Sequence, residues 1–260
     1  MKHTIYRKIL LNREAGKKMF AVLIDPEKSS GRNFASLVAA LKVASPDCIF
    51  IGGNHQLRSI ESMIEILKEE IPSDIILFPD NASNYCVNAD ALLYLSMISG
   101  RNPDYLIGQH VQSSKALVES DMEIIPTAYL LIDGGKPGTE EYISNTRALP
   151  RDHNELVLST VLAGELLGMR LTYLEAGRGA DLPVPSSLIS YLKERTHSPL
   201  IVGGGIDTLN DLSLAYHAGA DLVVAGTVFE NNPDKIIEFV NMVHQLNEQK
   251  DAELSAVSSE

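Results

Sequence analysis

Four short runs of this 260-residue chain place chemically capable residues at the ends of apolar segments. The first is Tyr173-Leu174-Glu175-Ala176-Gly177-Arg178-Gly179. If residues 171–175 form a strand, alternation puts Tyr173 and Glu175 on one side. A carboxylate beside a bound phosphoester can accept a hydroxyl proton, and a tyrosine hydroxyl can hydrogen-bond ligand oxygen. The second and third runs are Ile201-Val202-Gly203-Gly204-Gly205-Ile206 and Val224-Ala225-Gly226-Thr227. Glycines there let backbone N–H groups approach an anion with no Cβ in the way. Thr208, just before Leu209 and Asp211, reads as the N-cap of a helix whose positive end adds to that anion site. The fourth run is Leu23-Ile24-Asp25-Pro26-Glu27-Lys28, in which Asp25 is a hard oxygen ligand suited to Mg²⁺. Asn54, after Ile51-Gly52-Gly53, offers a neutral oxygen beside it. Each run has a plainer explanation: a loop salt bridge for Glu175, turns for the glycines and for Asp25-Pro26. Their joint placement favours a site. His55, His110 and His153 show no ligand spacing.

These residues need a scaffold that gathers strand ends. Short apolar runs at residues 20–25, 48–53, 75–79, 91–98, 123–132, 171–175, 200–204 and 222–226 have the length and flanking breakers of buried parallel strands. Amphipathic stretches at 33–44, 59–70, 112–119, 154–167, 186–195, 209–218 and 233–245 alternate with them as helices. Eight such units predict a modified (β/α)₈ TIM barrel, whose strand C-termini form the active face and whose seventh and eighth loops hold phosphate. Residues 80–90 are too few for a helix and two turns, so the third helix is replaced by a short loop or turn. Residues 6–19 form an extra helix carrying Arg7, Lys8, Arg13, Lys17 and Lys18 against Glu14. It covers the barrel floor or, as the alternative, touches an anionic membrane. A single domain over residues 1–248 is expected, with 249–260 a flexible tail.

Composition excludes several classes. Lys and Arg number 22 and Asp and Glu 34, a net charge of −12, without the basic footprint of general nucleic-acid binding. An anionic substrate then needs local dipoles or a metal. The two cysteines, Cys48 and Cys86, are too few for a disulfide framework or a zinc site. No apolar run reaches the length of a membrane span, and the first residues lack a signal-peptide core. The expectation is a cytoplasmic enzyme.

Taken together, the motifs resemble those of the geranylgeranylglyceryl phosphate synthase family, including its bacterial heptaprenylglyceryl phosphate synthase members. The likeness also includes Asn102-Pro103-Asp104-Tyr105-Leu106-Ile107-Gly108, Pro126-Thr127-Ala128-Tyr129 and Ile132-Asp133-Gly134-Gly135-Lys136-Pro137, the last as in the subgroup making C20 products. The resemblance implies prenyl transfer from a prenyl diphosphate, geranylgeranyl diphosphate first, to sn-glycerol 1-phosphate in ether phospholipid biosynthesis. It implies Mg²⁺ on Asp25, with Asn54 at the second metal position where Ser or Thr is commoner. Glycerol phosphate would be held by Tyr173, Leu174, Glu175, Ala176, Gly177, Arg178, Gly179, Gly204, Gly205, Gly226 and Thr227, with Glu175 and Tyr173 catalytic. It also implies a homo-oligomer, dimer or hexamer, and transient contact with a membrane surface.

Some positions depart from the family. Arg178 stands where Ser is common, and either adds charge to the phosphate site or swings to solvent. Asp80 replaces a common Gly and Asn84 a common Gln, both beside the expected prenyl groove. Tyr105 is a candidate stop for the prenyl chain, or an ordinary half-buried tyrosine. Alternatives that reuse the phosphate loops are a longer-chain donor, a flavin or phosphosugar barrel enzyme, and a non-catalytic phosphate-ligand sensor.

Overall fold

Strands buried on both faces explain why the apolar runs are nearly unbroken yet still alternate in destination. The computed structural model describes residues 4–52, 57–79 and 85–257. Among them lie α1 (Thr4–Glu14), β1 (Met19–Ile24), α2 (Gly31–Ala44), β2 (Cys48–Gly52), α3 (Leu57–Glu70), β3 (Asp74–Phe78), β4 (Ala91–Met97) and α4 (Gln109–Glu119). They continue with β5 (Glu123–Leu131), α5 (Thr139–Ser144), α6 (Asn154–Leu166), β6 (Leu171–Glu175), α7 (Ser186–Lys193), β7 (Leu200–Gly203), α8 (Leu209–Ala218), β8 (Leu222–Ala225) and α9 (Lys235–Val257). The strands pair in parallel in sequence order, and β8 closes on β1 through registers such as Ala21 with Val224. This is the expected TIM barrel.

Two packed layers follow from the period of two along each strand. Ala21, Phe50, Ile76, Leu93, Tyr173, Ile201 and Val224 fill the barrel interior. Phe20, Val22, Ile49, Leu92, Leu174, Val202 and Val223 face the surrounding helices. Each fully buried Val, Leu, Ile or Phe among them contributes about 1.5–3 kcal/mol of hydrophobic stabilisation. Cys48 is buried in the interior layer, where burial pushes its thiol well up and leaves it inert.

Between β3 and β4 the described residues form no helix. Cys86 and Ala89 pack into the outer layer as irregular chain, and Lys68 on α3 pairs with Asp90 at 2.7 Å.

Helix α1 covers the floor. Ile5 and Ile9 are buried against the interior layer, and the N–H groups of Ile5 and Tyr6 donate to the Glu123 carboxylate at 2.7 and 3.0 Å. Lys8 pairs with Asp74 at 2.8 Å. Glu123 and Asp74 open β5 and β3, so α1 sits at the strand N-termini, opposite the active face. The packing matches the reading in which the basic helix covers the barrel floor.

Two differences from the sequence reading concern α9 and α5. Helix α9 continues to Val257, so residues 249–257 are helical where a frayed tail was expected. Asn247 fixes it by exchanging two hydrogen bonds with the Lys18 backbone, at 2.7 and 2.9 Å, and Lys17 pairs with Asp251 at 3.0 Å. The short helix α5, in the loop after β5, was not anticipated at all.

Candidate active site

A cavity of about 270 Å³ opens at the strand C-termini. Asp25 from the end of β1 and Glu175 from the end of β6 both line it. So do Tyr173, Gly177, Arg178, Gly179, Gly204, Gly205, Gly226, Thr227 and Tyr105. Asn54, Asp80 and Asn84 lie outside the described residues.

Strand β6 sends Tyr173 and Glu175 inward, as alternation requires. Leu174 therefore points the other way, into the outer layer, and does not line the cavity. The side chain of Ala176 is likewise buried in the outer layer, and its N–H donates to the Gly203 carbonyl at 3.0 Å. The side chains of Leu174 and Ala176 thus face away from the cavity: a continuous motif does not present a continuous row of side chains when the strand is pleated.

Glu175 is only 7% exposed. Burial lifts its carboxyl to about 7; the Gly177 N–H, 2.8 Å from Oε1, and Tyr173 oppose the lift, while the Glu140 carboxylate adds to it. A carboxylate titrating near neutrality is matched to a general base. Tyr173 is fully buried, and its hydroxyl has no well-aligned hydrogen-bond partner among the described residues, though it lies beside Glu175. Burial, then the Glu175 charge, pushes its phenol far up, so it stays a neutral donor. An orphaned buried hydroxyl facing a cavity is suited to a ligand oxygen.

The glycines matter where a Cβ would meet this pair. A Cβ on Gly203 would crowd the Tyr173 hydroxyl and lie 2.9 Å from Oε2 of Glu175. Gly204 has φ +79°, and a Cβ there would press on Glu175 Oε1 and lie 2.7 Å from the Gly177 nitrogen. The glycine run thus lets β7 approach the carboxylate, as well as presenting N–H groups at Gly204 and Gly205. Helix α8 adds less than expected. Its first turn is closed by Thr208 and Asp211, which bond each other's N–H at 3.1 and 3.0 Å, so a carboxylate already sits on its positive end.

Chemistry is divided across the cavity. Phe78, Pro79, Leu95, Met97 and Tyr129, from β3, β4 and β5, make one half apolar. Phe78 stacks on Tyr173 with ring centroids 5.1 Å apart, and Tyr129 lies 5.4 Å from Tyr173. The polar half comes from β6, β7, β8 and the Asp25 loop. The apolar half lies on the side of the β3 and β4 strand ends.

Asp25 is the carboxylate that a cation entering here would meet: it lines the cavity, is 12% exposed, and carries the Arg178 guanidinium. No group of three His, Cys, Asp or Glu side chains among the described residues forms a metal cage. A metal here would rest on Asp25, water and ligand oxygens, the manner in which Mg²⁺ is usually held. Arg178 crosses the mouth to Asp25 and, at 2.7 Å, to Glu230.

The sequence reading missed Glu140 and Glu230. Glu140, on α5, lines the cavity with an unpartnered buried Oε2. Its signal was present: acidic Glu140 and Glu141 follow Gly138, an opening typical of a first helical turn. Glu230 lies beyond the eighth phosphate loop, and no local pattern marks it.

A barrel mouth with a near-neutral buried carboxylate between glycine loops defines a phosphate-ligand enzyme of the (β/α)₈ class. More particularly, the chain belongs to the PcrB family, whose model matches residues 12–244. The geranylgeranylglyceryl phosphate synthase of Chitinophaga pinensis is 42% identical over 245 residues, spanning 94% of this chain and 97% of that protein. That of Methanosphaera stadtmanae is 36% identical over 231 residues, 87% of this chain and 94% of that protein. Among solved structures, the (S)-3-O-geranylgeranylglyceryl phosphate synthase of Thermoplasma acidophilum in complex with sn-glycerol-1-phosphate superposes with TM-score 0.86 at 29% identity, covering 92% of this chain and 98% of that one.

Proposed function

We propose that this chain transfers a prenyl group from a prenyl diphosphate, geranylgeranyl diphosphate by preference, to sn-glycerol 1-phosphate. The observation that carries the proposal is the opening of Asp25 and Glu175 into one cavity with a polar and an apolar half. An acceptor phosphate fits the loops at Gly204–Gly205 and Gly226–Thr227, with Gly177 and Gly179 on its flank. A prenyl chain fits the half lined by Phe78, Leu95, Met97 and Tyr129. Family membership and the relatives support this reading over a flavin or phosphosugar barrel.

The chemistry balances within these residues. The glycerol hydroxyl oxygen bonds to the allylic carbon, the carbon–oxygen bond to diphosphate breaks with its electron pair leaving on diphosphate, and the hydroxyl proton passes to Glu175. Tyr173 donates to a glycerol oxygen and orients it. Stacking on Phe78 fixes the Tyr173 ring, and such positioning supplies several kcal/mol of acceleration, on the order of 7 or more in the best intramolecular cases. Asp25 would hold Mg²⁺, with Asn54 at the second position by resemblance, and the ion would neutralise the leaving diphosphate.

The reading extends to a cytoplasmic homo-oligomer, dimer or hexamer, that contacts a membrane surface only transiently. Among the described residues no helix is long and apolar enough to cross a membrane.

Incubating the purified chain with sn-glycerol 1-phosphate, labelled geranylgeranyl diphosphate and Mg²⁺ tests the proposal. The expected result is a labelled ether lipid that disappears with EDTA; no ether product at excess enzyme overturns it.

A further inference from the structure

The mouth of the cavity is bridged by charge. Arg178, on the loop after β6, reaches Asp25 on the loop after β1 and Glu230 on the segment after β8. Glu230 also takes Lys28 at 3.0 Å. Two carboxylates and two cations thus form a neutral set tying three loops of the rim. The Arg178 side chain is 39% exposed and Asp25 12%, so the guanidinium lies over the carboxylate from the solvent side.

We propose that Arg178 is a resident counter-ion of Asp25, one that an incoming divalent cation must displace before the mouth can accept a diphosphate. The inference rests on the metal reading of Asp25 given above. A divalent ion and a guanidinium compete for the same carboxylate oxygens, so the apparent metal affinity is reduced by the fraction of molecules whose Asp25 is free. Glu230 supplies the second half of the device. It gives the displaced guanidinium a partner at 2.7 Å, so Arg178 can release Asp25 without losing all charge compensation. Asp25 is then uncovered when a metal arrives and covered by Arg178 again when it leaves.

The test uses the full-length chain and Mn²⁺ alone, titrated by electron paramagnetic resonance and calorimetry without substrate. Arg178→Ser is expected to bind Mn²⁺ roughly two- to fivefold more tightly than the wild type, the range set by partly exposed ion pairs. The gain is expected to vanish in the double variant Asp25→Asn, Arg178→Ser. Equal or weaker binding by Arg178→Ser, including no binding by either protein, overturns the proposal. A gain that survives in the double variant also overturns it, because the released site would not be Asp25. The prenyl-transfer reading is judged separately, by ether product from the wild type, so the two can fail independently.

Discussion

Oε1 of Glu175 accepts the backbone N–H of Gly177 at 2.8 Å, two residues along the same loop, while Oε2 stays on the cavity side beside the Tyr173 hydroxyl and Gly203. One oxygen is held by the backbone and the other lies by the Tyr173 hydroxyl. The hydrogen bond favours the ionised form, yet burial outweighs it and the carboxyl sits at about 7. That balance makes the group both orientable and able to take a proton near neutrality.

The acid limb of the rate follows. Glu175 must be ionised to accept a proton, so kcat/KM is expected to fall as pH drops through about 7. Glu140→Gln removes a nearby negative charge that lifts the carboxyl. It should move the acid limb down, by roughly half to one pH unit. A pH–rate profile of the two proteins checks this; a limb that stays in place would remove Glu140 from the electrostatics of the base.

Glu175→Gln should separate binding from turnover. We expect glycerol phosphate affinity to be retained and kcat to fall by about 10²–10⁴-fold, the usual contribution of a positioned base. Isothermal titration with sn-glycerol 1-phosphate and a turnover assay read the two quantities. Unchanged kcat would take Glu175 out of the mechanism.

The same substitution should stabilise the fold, in a defined pH window. The carboxyl is raised in the folded state, from an ordinary 4.5 to about 7, so its protonated form is favoured by folding. Its contribution is fully present below about 4.5 and is lost as pH rises through about 7. Above that, an uncompensated buried charge costs up to about 3 kcal/mol. Glutamine keeps the shape and an oxygen for the Gly177 N–H without the charge. Thermal melts should show a higher midpoint for Glu175→Gln at pH 8 and little difference at pH 4; the reverse order would contradict the burial argument.

Gly204→Ala should damage both fold and site. The residue has φ +79°, and a Cβ would lie 2.7 Å from the Gly177 nitrogen and 2.8 Å from the Ala176 nitrogen. Strain and backbone clash together cost on the order of 1–3 kcal/mol. Chemical denaturation should show that loss, and turnover should fall with it because Glu175 is pushed aside. Full activity would mean the β6–β7 contact tolerates a methyl group.

Tyr105 lines the cavity near its apolar half and remains a candidate stop for the prenyl chain. Tyr105→Ala should shift preference toward donors longer than C20. A donor-length series with both proteins measures the ratio of rates; an unchanged ratio would make Tyr105 an ordinary wall residue.

Much of this was legible from sequence because the signals are local. Tyr173 and Glu175 share a side by strand alternation, and the same alternation turns Leu174 away from the cavity although the motif runs through it. Thr208 caps α8 as its spacing with Asp211 predicts. Helix α5 escaped notice because its six residues bury little and carry no apolar period, yet it brings Glu140 to the base. The polar run after Gln249 reads as a tail because its helix is anchored from elsewhere, by Lys17 and Lys18 just before the start of β1.

By itself, the sequence determined the strand and helix order, the glycine turns and the identity of the base, since each depends on neighbours within one element. Tertiary structure alone decided that Arg178 pairs with Asp25, that Glu140 faces Glu175, and that α1 seals the floor. Those pairs join residues 153, 35 and more than 100 positions apart. Electrostatic and packing energies depend on distance in space, which only barrel closure sets.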